Sequence, residues 1–224
     1  MSARLFFKKT ARLILRFHLL FILLAGIGAL YLKYFNPPLT MLMLYRGQMG
    51  HRGMERPSFV PLHDLPEDLR ISLINLEDPN FYSHYGFDVK RIQTAYEKNE
   101  EKGYFAYGGS TITQQLARTM LLTPHKNYFR KYLELIAALE LELILDKDRI
   151  LELYVNYMEW GNRVYGISDA ADYYYKKDVE RLSRRQKIKL AAILASPLNF
   201  GPSNYKENKL LEARYQLLDK FLID

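Results

Sequence analysis

Hydrophobic positions change their spacing along this chain of 224 residues, and the changes mark out its elements. From Leu19 to Leu32 every residue is uncharged. The run is a little short of the ~20 residues that a bilayer core of ~30 Å needs. Phe17, Tyr31, Tyr34 and Phe35 extend it, because aromatic rings settle at the interface, and Arg16 and Lys33 can snorkel outward. Asn36-Pro37-Pro38 ends the run. Residues 67–77, EDLRISLINLE, set Leu69, Ile71, Leu73, Ile74 and Leu76 at spacings of three and four that suit a helix, with a strand left open by the short alternation. A turn-rich stretch, EDPNFYSHYGFD, leads to a helix expected from about Val89. The polar, aromatic-tipped segment EKNEEKGYFAYGG reads as a mobile loop around Tyr104–Tyr107. Thr111 and Gln114 form a capping-box pattern, which places a helix start there. Between Arg130 and Asn156, 27 residues pass without Gly or Pro, enough for two helices broken near Asp146–Asp148. Leu182–Leu194 reads as a further helix stopped by Pro197. Strand signal is slight and no repeat is present, so the expected fold is mainly α.

Composition adds that the chain is globular, 49% hydrophobic and 25% charged. With no cysteine, neither a disulfide nor a thiolate metal site can form. The net charge of +7 raises the question of nucleic acid, and its location answers it. Arg4, Lys8, Lys9, Arg12, Arg16 and Lys33 all precede the first acid, Glu55; without these six, 26 basic residues face 25 acidic ones. The basic excess belongs to the N-terminus, and no nucleic-acid partner is expected. Five of the cations precede the apolar run and one follows it, which orients the N-terminus to the cytoplasm. A cleaved signal peptide is the rival reading; AGIGA offers small residues without a clean cleavage pattern. A buried core helix is the bland one, and the terminal position and basic flank speak against it. The expected organisation is a cytoplasmic basic segment (1–16), a transmembrane anchor (17–35), a membrane-proximal connector (36–59) and one domain (60–224).

Four clusters are candidates for chemistry. Glu77-Asp78 ends an apolar segment, with His84 and Gly86 following; a carboxylate among apolar neighbours can have its pKa raised into the range of a general acid or base. Taken alone, Glu-Asp before Pro is more often a helix end, and a lone His a structural donor. The second cluster, Gly108-Gly109-Ser110-Thr111-Ile112-Thr113-Gln114-Gln115, puts free backbone amides and glycines at a helix start, the ingredients of a phosphate site. Arg118, one turn beyond Gln114, shares that face; the bland reading is an ordinary capped helix. In the third cluster Arg130, Lys131 and Glu134 converge at helical spacing. Glu134 then heads an apolar stripe through Ala137, Ala138, Leu141 and Leu145, so it is either in a structural ion pair or in a site. Glu140 and Glu142 on the same helix read as structural. The fourth cluster, Lys147 to Asn156, reads as packing and salt bridges.

In this order and spacing the four clusters resemble the glycosyltransferase family 51 domain of peptidoglycan synthases. The family pattern E-D-x-x-F-x-x-H-x-G matches Glu77 to Gly86, and G-x-S-T-I-T-Q-Q matches Gly108 to Gln115. R-K-x-x-E matches Arg130, Lys131 and Glu134; I-L-E-x-Y-(L/V)-N matches Ile150 to Asn156; Arg214 to Leu218 is a weaker match to a fifth motif. The resemblance covers roughly residues 60–220. Arg118 stands where the family usually has Lys, Thr119 where it has Asn, and Gln186 where it has Glu. These departures touch substrate placement more than catalysis. A single anchor and a chain ending at Asp224, without a transpeptidase domain, is the pattern expected of the monofunctional branch.

The resemblance implies a lysozyme-like, two-lobed fold and polymerisation of lipid II, an undecaprenyl-pyrophosphate disaccharide pentapeptide, into β-1,4-linked glycan. On that reading Glu77 is the general base, with Glu134 the second acid. Asp78, His84, Ser110, Thr111, Gln114, Gln115, Arg118, Arg130, Lys131 and Asn156 are substrate-binding. Glu134 is also the candidate ligand for a divalent cation, Mg2+ or Mn2+, and no organic cofactor is expected. The implied partners are lipid II, the growing glycan, the membrane, and transpeptidases with other wall-synthesis proteins. The implied place is the bacterial inner membrane, with the domain on the extracytoplasmic side. The rival activity is a lysozyme-like lytic glycosidase, which would shorten finished glycan strands; a silent scaffold would have lost a motif carboxylate, and none is lost.

Overall fold

A computed structural model describes residues 3–47, 57–103, 108–125 and 127–221. The connector residues 48–56 and the tip 104–107 of the expected loop lie outside the described residues.

The apolar run belongs to one continuous helix, α1 (Ala3–Tyr34), of which Phe7–Tyr34 is long and apolar enough to cross a membrane. One side of α1 buries Ala25, Ala29 and Leu32, while Leu19, Leu20, Leu23, Leu24, Ile27 and Leu30 stay exposed. After Asn36-Pro37-Pro38 the chain makes a short helix, α2 (Met41–Tyr45), capped by Thr40. Residues 67–77 form the expected helix, α3 (Glu67–Glu77), whose first turn holds Glu67 and Asp68 where the helix dipole favours acids. Then come α4 (Val89–Lys102), α5 (Ile112–Leu121), α6 (Tyr128–Ile144) and α7 (Lys147–Tyr157). Each start is capped by a side chain: Asp88, Thr111, Asn127 and Asp146 accept the amides of Arg91, Gln114, Arg130 and Arg149. Asp146 thereby supplies the expected break in the long run.

A hairpin of β1 (Glu159–Gly161) and β2 (Val164–Tyr165) follows, antiparallel and turned by Arg163 at φ 62°. It was not expected, because two and three residues are too few to show alternation. The remaining helices are α8 (Ile167–Tyr175), α9 (Arg184–Ile193) and α10 (Lys209–Phe221). Gly166 opens α8 at φ 80°, and a Cβ there would lie 2.6 Å from the Asn156 carbonyl, so only glycine lets α8 start this close to α7.

The fold is mainly α. Helices α5, α6 and α7 pack together, with α8 against α7 and the hairpin against α8, while α3, α9 and α10 form a second group. One apolar core runs through both, from Leu69 and Leu73 of α3 to Leu116 of α5, Tyr154 of α7 and Ile188 of α9. The two groups meet where α3 ends beside α5.

Helix α1 lies along α6. The rings of Phe17 and Phe129 are 5.7 Å apart and those of His18 and Tyr132 5.6 Å. Arg149 of α7 donates to the carbonyls of Leu32 (2.9 Å) and Phe35 (3.0 Å). The small residues of AGIGA serve this packing: Cβ atoms on Gly26 and Gly28 would come within 3.3 Å of Glu140 and 3.1 Å of Leu121.

Candidate active site

Glu77 is the last residue of α3, and its side chain is 9% exposed. One carboxylate oxygen pairs with Arg214 of α10. The other accepts from Gln115 Nε2 at 3.0 Å, and Gln115 Oε1 in turn accepts from the buried Tyr154 hydroxyl at 3.2 Å. Burial pushes the Glu77 pKa up, but Arg214, the Gln115 bond and the more distant Arg91 outweigh it, and the result lies below the ordinary 4.5. The expectation of a raised pKa is therefore corrected: this acid is held ionised by a cation from the end of the chain. Arg214 itself is fixed by donating to the carbonyls of Ala192 (3.0 Å) and Ala191 (3.2 Å).

Asp78 caps the end of α3 and is fully buried. Its Oδ2 accepts from the Ile112 amide at 3.0 Å and lies 2.9 Å from His84 Nε2. The neighbour of the candidate base is thus clasped to the first residue of α5. Thr111 Oγ1 donates to the carbonyl of Gly86 (2.7 Å), which sits at φ 82° with its α-carbon facing the Ala138 backbone. The capping box completes itself, since the Thr111 amide donates to Gln114 Oε1 at 3.2 Å. The expected amide cradle is corrected accordingly. The amides of Thr111, Ile112 and Gln114 are already satisfied inside the protein, by Gln114, Asp78 and Thr111.

Just before α5, Ser110 Oγ accepts from Lys131 Nζ at 2.8 Å, and the same Nζ lies 2.6 Å from Glu134 Oε1. Arg130 pairs with the other Glu134 oxygen and donates its Nε to the His125 carbonyl. Glu134 is fully buried, the Arg130 side chain is 12% exposed and that of Lys131 43%. Lys131 is therefore the cation of this cluster that a ligand can reach. Arg118, half-buried on α5, lies close enough to Tyr154 to act on it electrostatically, and its side chain makes no hydrogen bond or ion pair among the described residues.

The carboxylates of Glu77 and Glu134 thus hang from one short piece of chain, Glu77 from Gln115 and Glu134 through Lys131 from Ser110. Several expected substrate contacts turn out to be framework. Asn156 is fully buried, and its amide group exchanges hydrogen bonds with the Val60 amide and carbonyl, both 2.8 Å, and with the Glu152 carbonyl, 2.8 Å. It fastens the chain entering the domain. Asp78, Thr111 and Gln114, buried and bonded internally, likewise position α5. His84, with its side chain 9% exposed, stands behind Asp78.

Glu134 is poorly placed to ligate a metal. Both of its oxygens are taken by cations, and among the described residues no three His, Asp or Glu side chains converge on a metal-sized space. As built, these residues do not fit a resident divalent ion.

Sequence reasoning missed Arg214 as a site residue, along with Tyr154 and Arg91. Only the weak fifth motif pointed to Arg214. Tyr154 lay inside a recognised motif at an unassigned position.

Residues 46–221 match the model of the family described as Transglycosylase. The chain is 40% identical over 174 residues to a biosynthetic peptidoglycan transglycosylase of Paraburkholderia xenovorans, covering 75% of this chain and 72% of that protein. It is 38% identical over 167 residues to the protein of that name from Thiobacillus denitrificans, covering 75% and 71%. The corresponding protein of Nitrosospira multiformis is 40% identical over 171 residues, covering 75% and 74%.

Proposed function

The chain belongs to the transglycosylase family and is a peptidoglycan glycosyltransferase of cell-wall synthesis, and from that premise we propose how its site extends a glycan strand from lipid II. Glu77 is the general base. The acceptor 4-hydroxyl displaces one of the two groups bonded to Glu77, and losing that bond raises the basicity of the carboxylate as the proton moves to it. The acceptor oxygen then attacks C1 of the donor sugar from the face opposite the pyrophosphate. The new C–O bond forms as the bond to the lipid pyrophosphate breaks, with inversion. Its electrons pass to a leaving group that needs positive charge more than a proton. Lys131, exposed beside Ser110, and Arg118, without an ion pair, supply that charge. Arg130 and Glu134 hold Lys131 in place.

One observation carries the reading: a nearly buried carboxylate and an accessible lysine are suspended from the same end of α5. The test is Glu77→Gln. The variant should stay folded but melt below wild type, because Arg214 loses its charge partner, and it should form no polymer from lipid II. Elongation at the wild-type rate would falsify the assignment.

The anchor reading puts the domain on the extracytoplasmic face of the bacterial inner membrane, supported by the five cations before the apolar helix against one after it. Because α6 runs beside the apolar part of α1, its exposed Tyr128, Phe129, Tyr132, Leu139 and Leu143 face the same lipid layer. The polyprenyl tail then stays in the membrane during transfer. The same reading keeps transpeptidases and other wall-synthesis proteins as proposed partners.

A further inference from the structure

Helix α9 breaks a local rule. Its sequence RRQKIKLAAI carries Arg184, Arg185, Lys187 and Lys189 near its N-terminal end and no acid in the first turn, where the helix dipole disfavours cations. Two of the four are accounted for: Lys187 lies 2.6 Å from Asp68 of α3, and Arg184 donates to the Asp219 carbonyl at 3.1 Å. The other two are not. Arg185 and Lys189 are like charges one turn apart, a destabilising arrangement. Both line a cavity of about 530 Å³ together with Lys206. Among the described residues none of these three has an ion-pair partner. Glu212 is the one acid in the wall, so the cavity carries a net charge of about +2. Its inner wall is aromatic: the Tyr205 and Tyr215 rings are 4.9 Å apart, and Lys189 sits over Tyr205 at 5.4 Å. Uncompensated charge gathered around an aromatic floor, in a space of ligand size, marks a site for an anion with an apolar face.

Two placements indicate which anion. The cavity is built on α9 and α10, the two helices that also fix Arg214, the residue that holds Glu77. It also lies on α9, α10 and the turn at Tyr205, whereas α1 packs along α6, so a lipid headgroup is poorly placed to enter. Resting on the polymerase reading, we propose that this cavity holds the growing glycan strand, its sugar faces on Tyr205 and Tyr215 and the carboxylates of its stem peptides on Arg185, Lys189 and Lys206. Retention of the strand between transfers is the function this serves.

The test uses the full chain in detergent, in a Glu77→Gln background so that nothing turns over. Calorimetry measures binding of a soluble tetrasaccharide that bears its peptides but no lipid or pyrophosphate. The same glycan stripped of its peptides and vesicles of anionic phospholipid serve as comparison probes. Replacing Arg185, Lys189 and Lys206 together by Gln should weaken binding of the peptide-bearing glycan by about tenfold or more and leave the stripped glycan unaffected. With Glu77 restored, the triple variant should consume lipid II at an initial rate within about twofold of wild type while releasing shorter strands. Undiminished affinity in the triple variant overturns the proposal. Equal losses on stripped glycan overturn the role of the carboxylates. A loss seen on vesicles alone assigns the cavity to lipid instead. Because binding is measured without turnover, a failure of the polymerase reading shows separately, as wild-type protein that makes no polymer.

Discussion

Replacing Arg214 with Met tests whether that cation sets the protonation of Glu77. In wild type, burial raises the Glu77 pKa while Arg214, Gln115 and Arg91 lower it further, below 4.5. A carboxyl depressed in the folded state contributes stability above its unfolded pKa and loses it as pH falls through the folded value. Without Arg214 the burial penalty loses its main opponent, the folded pKa rises above 4.5, and the same group destabilises the fold at neutral pH. Removing one partner of a buried ion pair costs about 3–5 kcal/mol. The bonds from Arg214 to Ala191 and Ala192 add about 1 kcal/mol each. At about pH 7.5 the variant should therefore melt roughly 10–28 °C below wild type. At a pH below both folded values Glu77 is neutral in both proteins, and only the carbonyl bonds separate them, so the gap should shrink to a few degrees. Lipid II polymerisation measured against pH should show the acid limb of kcat/KM below 4.5 in wild type and displaced upward in Arg214→Met. Arg214→Lys, which keeps the charge and loses the fork, should fall between them in melting while retaining the low acid limb. Superimposed acid limbs in wild type and Arg214→Met, together with a melting gap independent of pH, would refute the reasoning.

Three further outcomes are expected. Lys131→Ala should lower kcat by about 10²-fold with a smaller change in KM, because its charge is needed as the pyrophosphate departs, as steady-state kinetics on lipid II will read. Asn156→Ala leaves the Val60 amide and carbonyl without their partner and should cost about 2–3 kcal/mol in thermal denaturation, with the acid limb of the rate profile unmoved. Leu143→Asp, at a side chain 82% exposed on α6, should reduce partitioning into phospholipid vesicles severalfold while soluble-glycan binding stays the same.

Much of the helical frame is legible because local signals carried it. The spacing of Leu69, Leu73 and Leu76 announced α3, the Thr111/Gln114 box announced α5, and Asp146 could divide the long run because it caps one helix as the other ends. The hairpin at Glu159–Tyr165 was not legible, since three residues cannot display a period, and α10 was seen only as a motif fragment. At the site, residue types indicated which side chains gather but not which way each faces. Asn156, whose cluster reads as packing and which only the resemblance made substrate-binding, is occupied by Val60, 96 positions earlier. The Glu77 pKa was misjudged for the same reason. Its neighbours in sequence are apolar, while the group that decides its charge is 137 positions away.

The division of labour among these residues follows from where α5 begins. Proton transfer from the acceptor and charge neutralisation at the leaving group must occur on opposite sides of one sugar carbon, so their separation has to be held to a fraction of an ångström. Glu77 comes from the end of α3 and Lys131 from the start of α6, two helices that otherwise belong to different packing groups. Asp78 bonds the end of α3 to the first amide of α5, Thr111 bonds the start of α5 to Gly86, and Ser110 receives Lys131. Each of these bonds uses up a polar group that a ligand might otherwise have taken. A phosphate-binding helix start would leave its amides free. Here those amides fix distance, and on the proposed mechanism the task of meeting negative charge passes to the side chains of Lys131 and Arg118.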